Sequence, residues 1–117
     1  MLKVYAYSGC DTCRKALRWL QTRGIEHTIL AIRDQPPSRV ELERMLAIYQ
    51  GNLRRLFNTS GQDYRALGLG ATLPKLSSDE ALTLLAGNGN LIKRPFVLGP
   101  KVGLVGFKED EWQARFD

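Results

Sequence analysis

The chain has 117 residues, a formal net charge of +5, 44% apolar and 25% charged residues. That is the length of one domain with a real core, and the composition of a soluble globular protein. No span approaches the ~18 apolar residues of a membrane helix. The chain starts on a strand pattern rather than on a basic leader with an apolar run. With only two cysteines, a protein of the reducing cytoplasm is expected.

Residues 2–7 read as a buried strand, and residues 11–23 as a helix with Cys13, Ala16, Leu17 and Leu20 on one face, stopped by Gly24. Residues 26–30 alternate and then turn apolar, predicting a second strand. Strand, helix and strand of these lengths form a βαβ unit, so the two strands should run parallel. Pro36-Pro37 breaks the chain, and Ser38 followed by Glu41 is a capping-box pattern opening a helix to about Tyr49, ended by Gly51. Residues 52–75 are irregular by pattern, with a short helix near 62–67. Ser77 with Glu80 marks another capping box for a helix through about Leu85, before the turn Gly87-Asn88-Gly89-Asn90. Phe96-Val97-Leu98, the turn Gly99-Pro100-Lys101 and residues 102–107 read as a hairpin, and a last helix starts near Glu109.

Cys10 and Cys13, the only cysteines, stand where the first strand hands over to the first helix. A Cys-x-x-Cys pair at such a junction points to redox chemistry. The first sulfur meets the unpaired N–H groups and the positive end of a helix, both of which favour thiolate. Arg14 and Lys15 add positive charge in sequence, and Cys13 lies one turn deeper, where it can close a disulfide. Two cysteines and one histidine, His27, are too few for a four-ligand zinc site in one chain, so no metal is expected. A purely structural disulfide over so short a loop would remove little unfolded-chain entropy. Inert, reduced thiols remain an alternative reading of the pair.

The cations Arg14, Lys15, Arg18, Arg23, Arg54, Arg55, Lys93 and Arg94 are scattered and form no basic stripe, so direct nucleic-acid binding is not expected. Trp19 and Trp112 read as packing residues and His27 as an exposed strand residue. The order β-α-β, helical middle, β-β-α describes an α/β, thioredoxin-like fold with a mixed four-stranded sheet. It implies one domain over 1–117 with a helical insert of about 37–90, expected as a monomer.

The chain resembles the bacterial arsenate reductase (ArsC) and Spx group of thioredoxin-fold proteins. The segments that carry the resemblance are residues 7–16 around the cysteines, 36–42, 56–61, 64–68, Leu91-Ile92-Lys93-Arg94-Pro95 and Val105-Gly106-Phe107-Lys108. The resemblance implies that Cys10 is the nucleophile and that Arg94 stands beside it or its bound oxyanion. It also implies that Pro95 is the proline, usually cis, that faces the active cysteine. Ser8, Thr12 and Lys15 are supporting candidates. Arsenate reductases of this group carry two further arginines where Asn58 and Gly106 stand here, which leaves Arg94 alone among the three. Arg54, Arg55 or Lys15 are the candidates to replace them.

Two functions follow from the resemblance. One is a thiol–disulfide oxidoreductase with Cys13 resolving, no bound cofactor, and an external reductant such as glutathione with glutaredoxin, or thioredoxin. The other is an Spx-like redox-sensing regulator that binds the RNA polymerase α C-terminal domain. Gly51 matches a glycine of that binding surface, although a glycine there also reads as a helix stop.

Overall fold

The computed structural model describes residues 2–116. Four strands form one mixed sheet: β1 (Leu2–Ala6), β2 (His27–Ala31), β3 (Phe96–Leu98) and β4 (Gly103–Val105), in the order β2-β1-β3-β4. β1 pairs parallel with β2, with Val4 opposite Ile29, and antiparallel with β3, with Val4 opposite Val97. β3 and β4 form the expected hairpin. The parallel pair is joined by helix α1 (Asp11–Thr22), as a βαβ crossover requires.

Alternation along the strands sorts the core into two layers. Val4, Ala6, Val97 and Leu104 face α1 and the C-terminal helix α7 (Glu109–Phe116), where they meet Ala16, Leu20 and Trp112. Trp19 and Trp112 meet edge to face with ring centroids 5.6 Å apart, which accounts for both indoles as packing groups. Tyr5, Phe96, Leu98 and Val105 point the other way, onto helices α2 (Arg39–Ile48) and α6 (Ser78–Gly87). Two helical layers on one sheet bury both faces of β1 and β3.

Both capping boxes form. Ser38 Oγ accepts from the Glu41 N–H at 3.2 Å while Glu41 Oε1 accepts from the Ser38 N–H at 3.0 Å. Ser77 and Glu80 repeat the pattern at 3.0 and 2.9 Å. Glu41 also accepts from the Tyr5 hydroxyl at 2.7 Å and pairs with Lys3 at 3.2 Å. One side chain therefore caps α2 and fastens it to β1.

Several boundaries differ from the sequence reading. Residues 52–75 hold three short helices, α3 (Leu53–Leu56), α4 (Gln62–Ala66) and α5 (Leu69–Thr72), followed by a 3-10 turn at Leu73–Lys75. Helices of one turn carry too few residues to write a periodic pattern, so sequence alone detected only one of them. The last strand stops at Val105: Gly106 still donates its N–H to the Pro95 carbonyl at 2.9 Å, but Pro95 has no N–H to return, and Gly106 takes φ +71°. His27 is half-buried, with Nδ1 2.8 Å from the Ile25 carbonyl.

Burial works to raise the Glu41 pKa, but the Ser38 N–H, the Tyr5 hydroxyl and the Lys3 ammonium outweigh it and hold the carboxyl below its usual range. A depressed folded-state pKa gives stability that is present above the unfolded pKa and is lost as pH falls through the folded one. Glu41→Gln is therefore expected to be less stable by about 1 kcal/mol near neutrality. In urea titrations across pH 7 to 3, the gap to wild type should close as pH falls.

Candidate functional site

Cys10 is the N-cap of α1, with extended backbone angles of φ −103° and ψ 116°. Its N–H donates to the Tyr7 carbonyl at 3.1 Å, which fixes the bend from β1 into the helix. Its Sγ accepts from the Cys13 backbone N–H at 3.2 Å, one of the donors a helix start leaves unpaired. Cys10 is half-buried, Cys13 is fully buried, and both are free thiols.

Burial is the largest single influence on the Cys10 thiol and opposes ionisation. The Cys13 thiol, the Cys13 backbone N–H and the Arg94 guanidinium together outweigh it, so the Cys10 pKa is lowered. Cys13 moves the other way. Burial among Ala6, Ala16 and Leu20, reinforced by the Cys10 sulfur, pushes its thiol up to about 12. The two sulfurs thus divide into one poised to ionise and one that stays protonated and donates to it.

Arg94 reaches the site because the segment before β3 is pinned from the insert. The Lys93 N–H donates to the Leu56 carbonyl at 2.8 Å, the Asn58 N–H to the Leu91 carbonyl at 2.7 Å, and Phe57 bridges Ile92. The Arg94–Pro95 peptide is cis and Pro95 is buried. Nη1 of Arg94 is buried and has no hydrogen-bond partner.

The remaining candidates separate. Thr12 sits in the first turn of α1 and lines a cavity with Arg54, Arg55 and Gly106. The Ser8 carbonyl accepts from Arg14 at 3.0 Å, and Arg14 also pairs with Asp11, so Arg14 is engaged locally. Lys15 lines a different cavity, with Trp19 and Phe107, and is not gathered with the cysteines. Among the described cations, Arg94 is the one that contributes to the lowered Cys10 pKa. Gly51 is exposed at the end of α2 with φ +82°. Its N–H donates to Leu46 while Gln50, at φ 59°, takes the left-handed position, so the helix stop uses both residues.

Sequence reasoning missed the surroundings of Tyr7. The Arg33 guanidinium lies 3.6 Å from its ring centroid and that of Arg94 lies 5.3 Å away. The ring also rests against Gly9, where a Cβ would stand 2.7 Å from it. Tyr7 therefore touches the bend before Cys10 and the arginine beside it. An aromatic next to the cysteine segment was visible in sequence, but its partner Arg33 arrives from the end of β2.

The ArsC family model matches residues 5–115. The chain belongs to the ArsC family. It is 45% identical over 115 residues to YusI of Bacillus subtilis, covering 98% of each chain. It is 36% identical to an arsenate reductase of Rhizobium meliloti, over 83% of this chain and 68% of that one. The global transcriptional regulator Spx of Streptococcus mutans matches at 29% identity over 97% of this chain and 82% of its own length. Among solved structures, an ArsC-family-related protein from Bacteroides fragilis superposes with a TM-score of 0.91 at 39% identity, covering 97% of this chain and 95% of that one. These neighbours have a thioredoxin-like fold, as the strand order here does.

With Cys10 favoured as thiolate and Cys13 held as thiol, absorbance at 240 nm should rise first at a pH below that of free cysteine. A second rise should come only near pH 12. Arg94→Ala should move the first rise to higher pH and leave the second a high-pH event. An unmoved first rise would mean that Arg94 does not act on Cys10.

Proposed function

We propose that this ArsC-family protein is a thiol–disulfide oxidoreductase in which Cys10 is the nucleophile, Cys13 the resolving thiol and Arg94 the electrostatic partner. The observation that carries the reading is the division of the pair, with Cys10 Sγ accepting from the Cys13 N–H at 3.2 Å while the Cys13 thiol stays protonated. A nucleophilic thiol needs a thiolate in a partly exposed, electropositive setting. A resolving thiol needs to stay unreactive until a mixed disulfide has formed.

The Cys10 thiolate attacks one sulfur of a substrate disulfide. A Cys10–substrate bond forms, the substrate S–S bond breaks, and the other half leaves as a thiolate. Cys13 then loses its proton to that departing thiolate or to water and attacks the Cys10 sulfur. The Cys10–Cys13 disulfide closes and the second substrate thiol departs. Two equivalents of an external thiol, from glutathione with glutaredoxin or from thioredoxin, restore the pair. Arg94 stabilises the negative charge that sits on sulfur before and after each exchange, and its unpartnered Nη1 is a donor for it. A cytoplasmic thiol pool suits this cycle.

Arsenate is disfavoured as the main substrate. Asn58 and Gly106 stand where the family's other two oxyanion arginines are expected, and a tetrahedral dianion requires several charge-assisted donors. A second reading, a redox-sensing regulator docking on the RNA polymerase α C-terminal domain, is supported by the similarity to Spx over 97% of this chain and by the exposed place of Gly51.

Cys10→Ser should abolish disulfide reduction in a thiol-coupled assay, while Cys13→Ser should trap a Cys10 mixed disulfide visible by mass spectrometry. Wild-type turnover no faster than the uncatalysed exchange would defeat the enzymatic reading. Capture of the protein on immobilised α C-terminal domain, altered by oxidant, would then carry the regulatory one.

A further inference from the structure

Arg94 is held differently from other arginines that lie over an aromatic ring. The guanidinium carbons of Arg55 and Arg115 stand 4.6 and 5.9 Å from the Tyr49 ring centroid, and each arginine has a polar tie besides. Arg55 pairs with Glu111 at 3.6 Å, and Arg115 donates to the Gly103 carbonyl at 3.1 Å. Arg94 has no carboxylate partner among the described residues, and its buried Nη1 has no hydrogen-bond partner. What it meets is the Tyr7 ring, with the guanidinium carbon 5.3 Å from the centroid, and the Cys10 sulfur on which it acts. A guanidinium on a long rotatable stem with no ion pair depends on such contacts for its place.

The ring is fixed in turn by its own neighbours. Tyr7 follows β1 directly, and its carbonyl accepts from the Cys10 N–H at 3.1 Å. Gly9 lets the ring fold back over the bend, since a Cβ at residue 9 would stand 2.7 Å from ring carbon Cε2 and 3.2 Å from the hydroxyl oxygen. Arg33, exposed just beyond β2, lies over the ring with its guanidinium carbon 3.6 Å from the centroid. Of the charged groups that share a cavity with Tyr7, Arg14 is paired with Asp11, and none of Arg14, Arg33 and Asp34 contributes to the Cys10 shift.

We infer that Tyr7 is a positioning residue, whose ring holds the Arg94 guanidinium at the Cys10 sulfur while Gly9 leaves the ring room to do so. The inference rests on the reading of Arg94 as the electrostatic partner of Cys10. Both guanidinium carbons stand over the ring centroid region, so the π face and not the hydroxyl is the holding group. The choice of an aromatic has a physical consequence. A carboxylate on Arg94 would neutralise the charge offered to the sulfur, whereas a neutral ring attracts the guanidinium through its quadrupole and leaves that charge in full.

The test follows the pH profile of Cys10 alkylation by iodoacetamide, in variants that keep the wild-type far-UV circular dichroism. Tyr7→Leu should raise the midpoint, so that the rate at a fixed pH below it falls about 2- to 5-fold. Tyr7→Phe, which keeps the ring, should keep the wild-type profile. Arg94→Ala should raise the midpoint, and adding Tyr7→Leu to it should raise it no further. Tyr7→Met is the second ring-free variant if Tyr7→Leu does not fold. An unmoved midpoint in the ring-free variant or in Arg94→Ala overturns the proposal. An equal further rise when Tyr7→Leu is added to Arg94→Ala also overturns it, because the effect would then lie in the bend and not in the arginine. Failure of the oxidoreductase reading shows separately, as absent disulfide turnover in a wild-type protein whose midpoint still responds to Tyr7 and Arg94.

Discussion

The bend at Tyr7–Cys10 is the constraint on which the rest of the site depends. One hydrogen bond, from the Cys10 N–H to the Tyr7 carbonyl, ends β1 and makes Cys10 the cap of α1. The cap position gives the sulfur a backbone donor that no other residue in the helix can take. It also sends Cys13 one turn down, into the layer between sheet and helix, where burial keeps that thiol neutral. A single turn of backbone therefore separates two chemically similar groups into different protonation states.

Charge reaches that bend from far along the chain. The segment before β3 is tied to the end of α3 by paired backbone hydrogen bonds and a bridge, and this holds Arg94 beside the first cysteine. The Tyr7 ring lies against both Arg94 and Arg33, so the arginine rests on an aromatic face as well as facing a sulfur. Among the described residues, no group of the helical insert contributes to the lowered Cys10 pKa, but the insert fixes the segment that carries Arg94. The C-terminal helix contributes similarly, since Trp112 Nε1 donates to the Gly106 carbonyl at 3.0 Å and anchors the turn that bounds the neighbouring cavity.

The cavity that Thr12 lines at the first turn of α1 is bordered by positive charge. Arg54, Lys93 and Lys108 gather around it, next to Gly106.

Much of this was legible in the residues themselves. The strand–helix handover at the cysteines, both capping boxes, the β3–β4 hairpin and the parallel β1–β2 pair are local signals of periodicity and capping, and such signals survive in one dimension. The short helices between residues 52 and 75 were not, because one turn is too brief to show a period. Nor was it legible that Lys15 would be parted from the site while Arg54 joined its neighbouring cavity, or that Arg33 would stack on Tyr7. Sequence determined which residues begin and end each element and which sulfur sits at a helix start. Only the tertiary structure decided which charges face one another, because that depends on how segments far apart in the chain are packed together, and no local pattern encodes it.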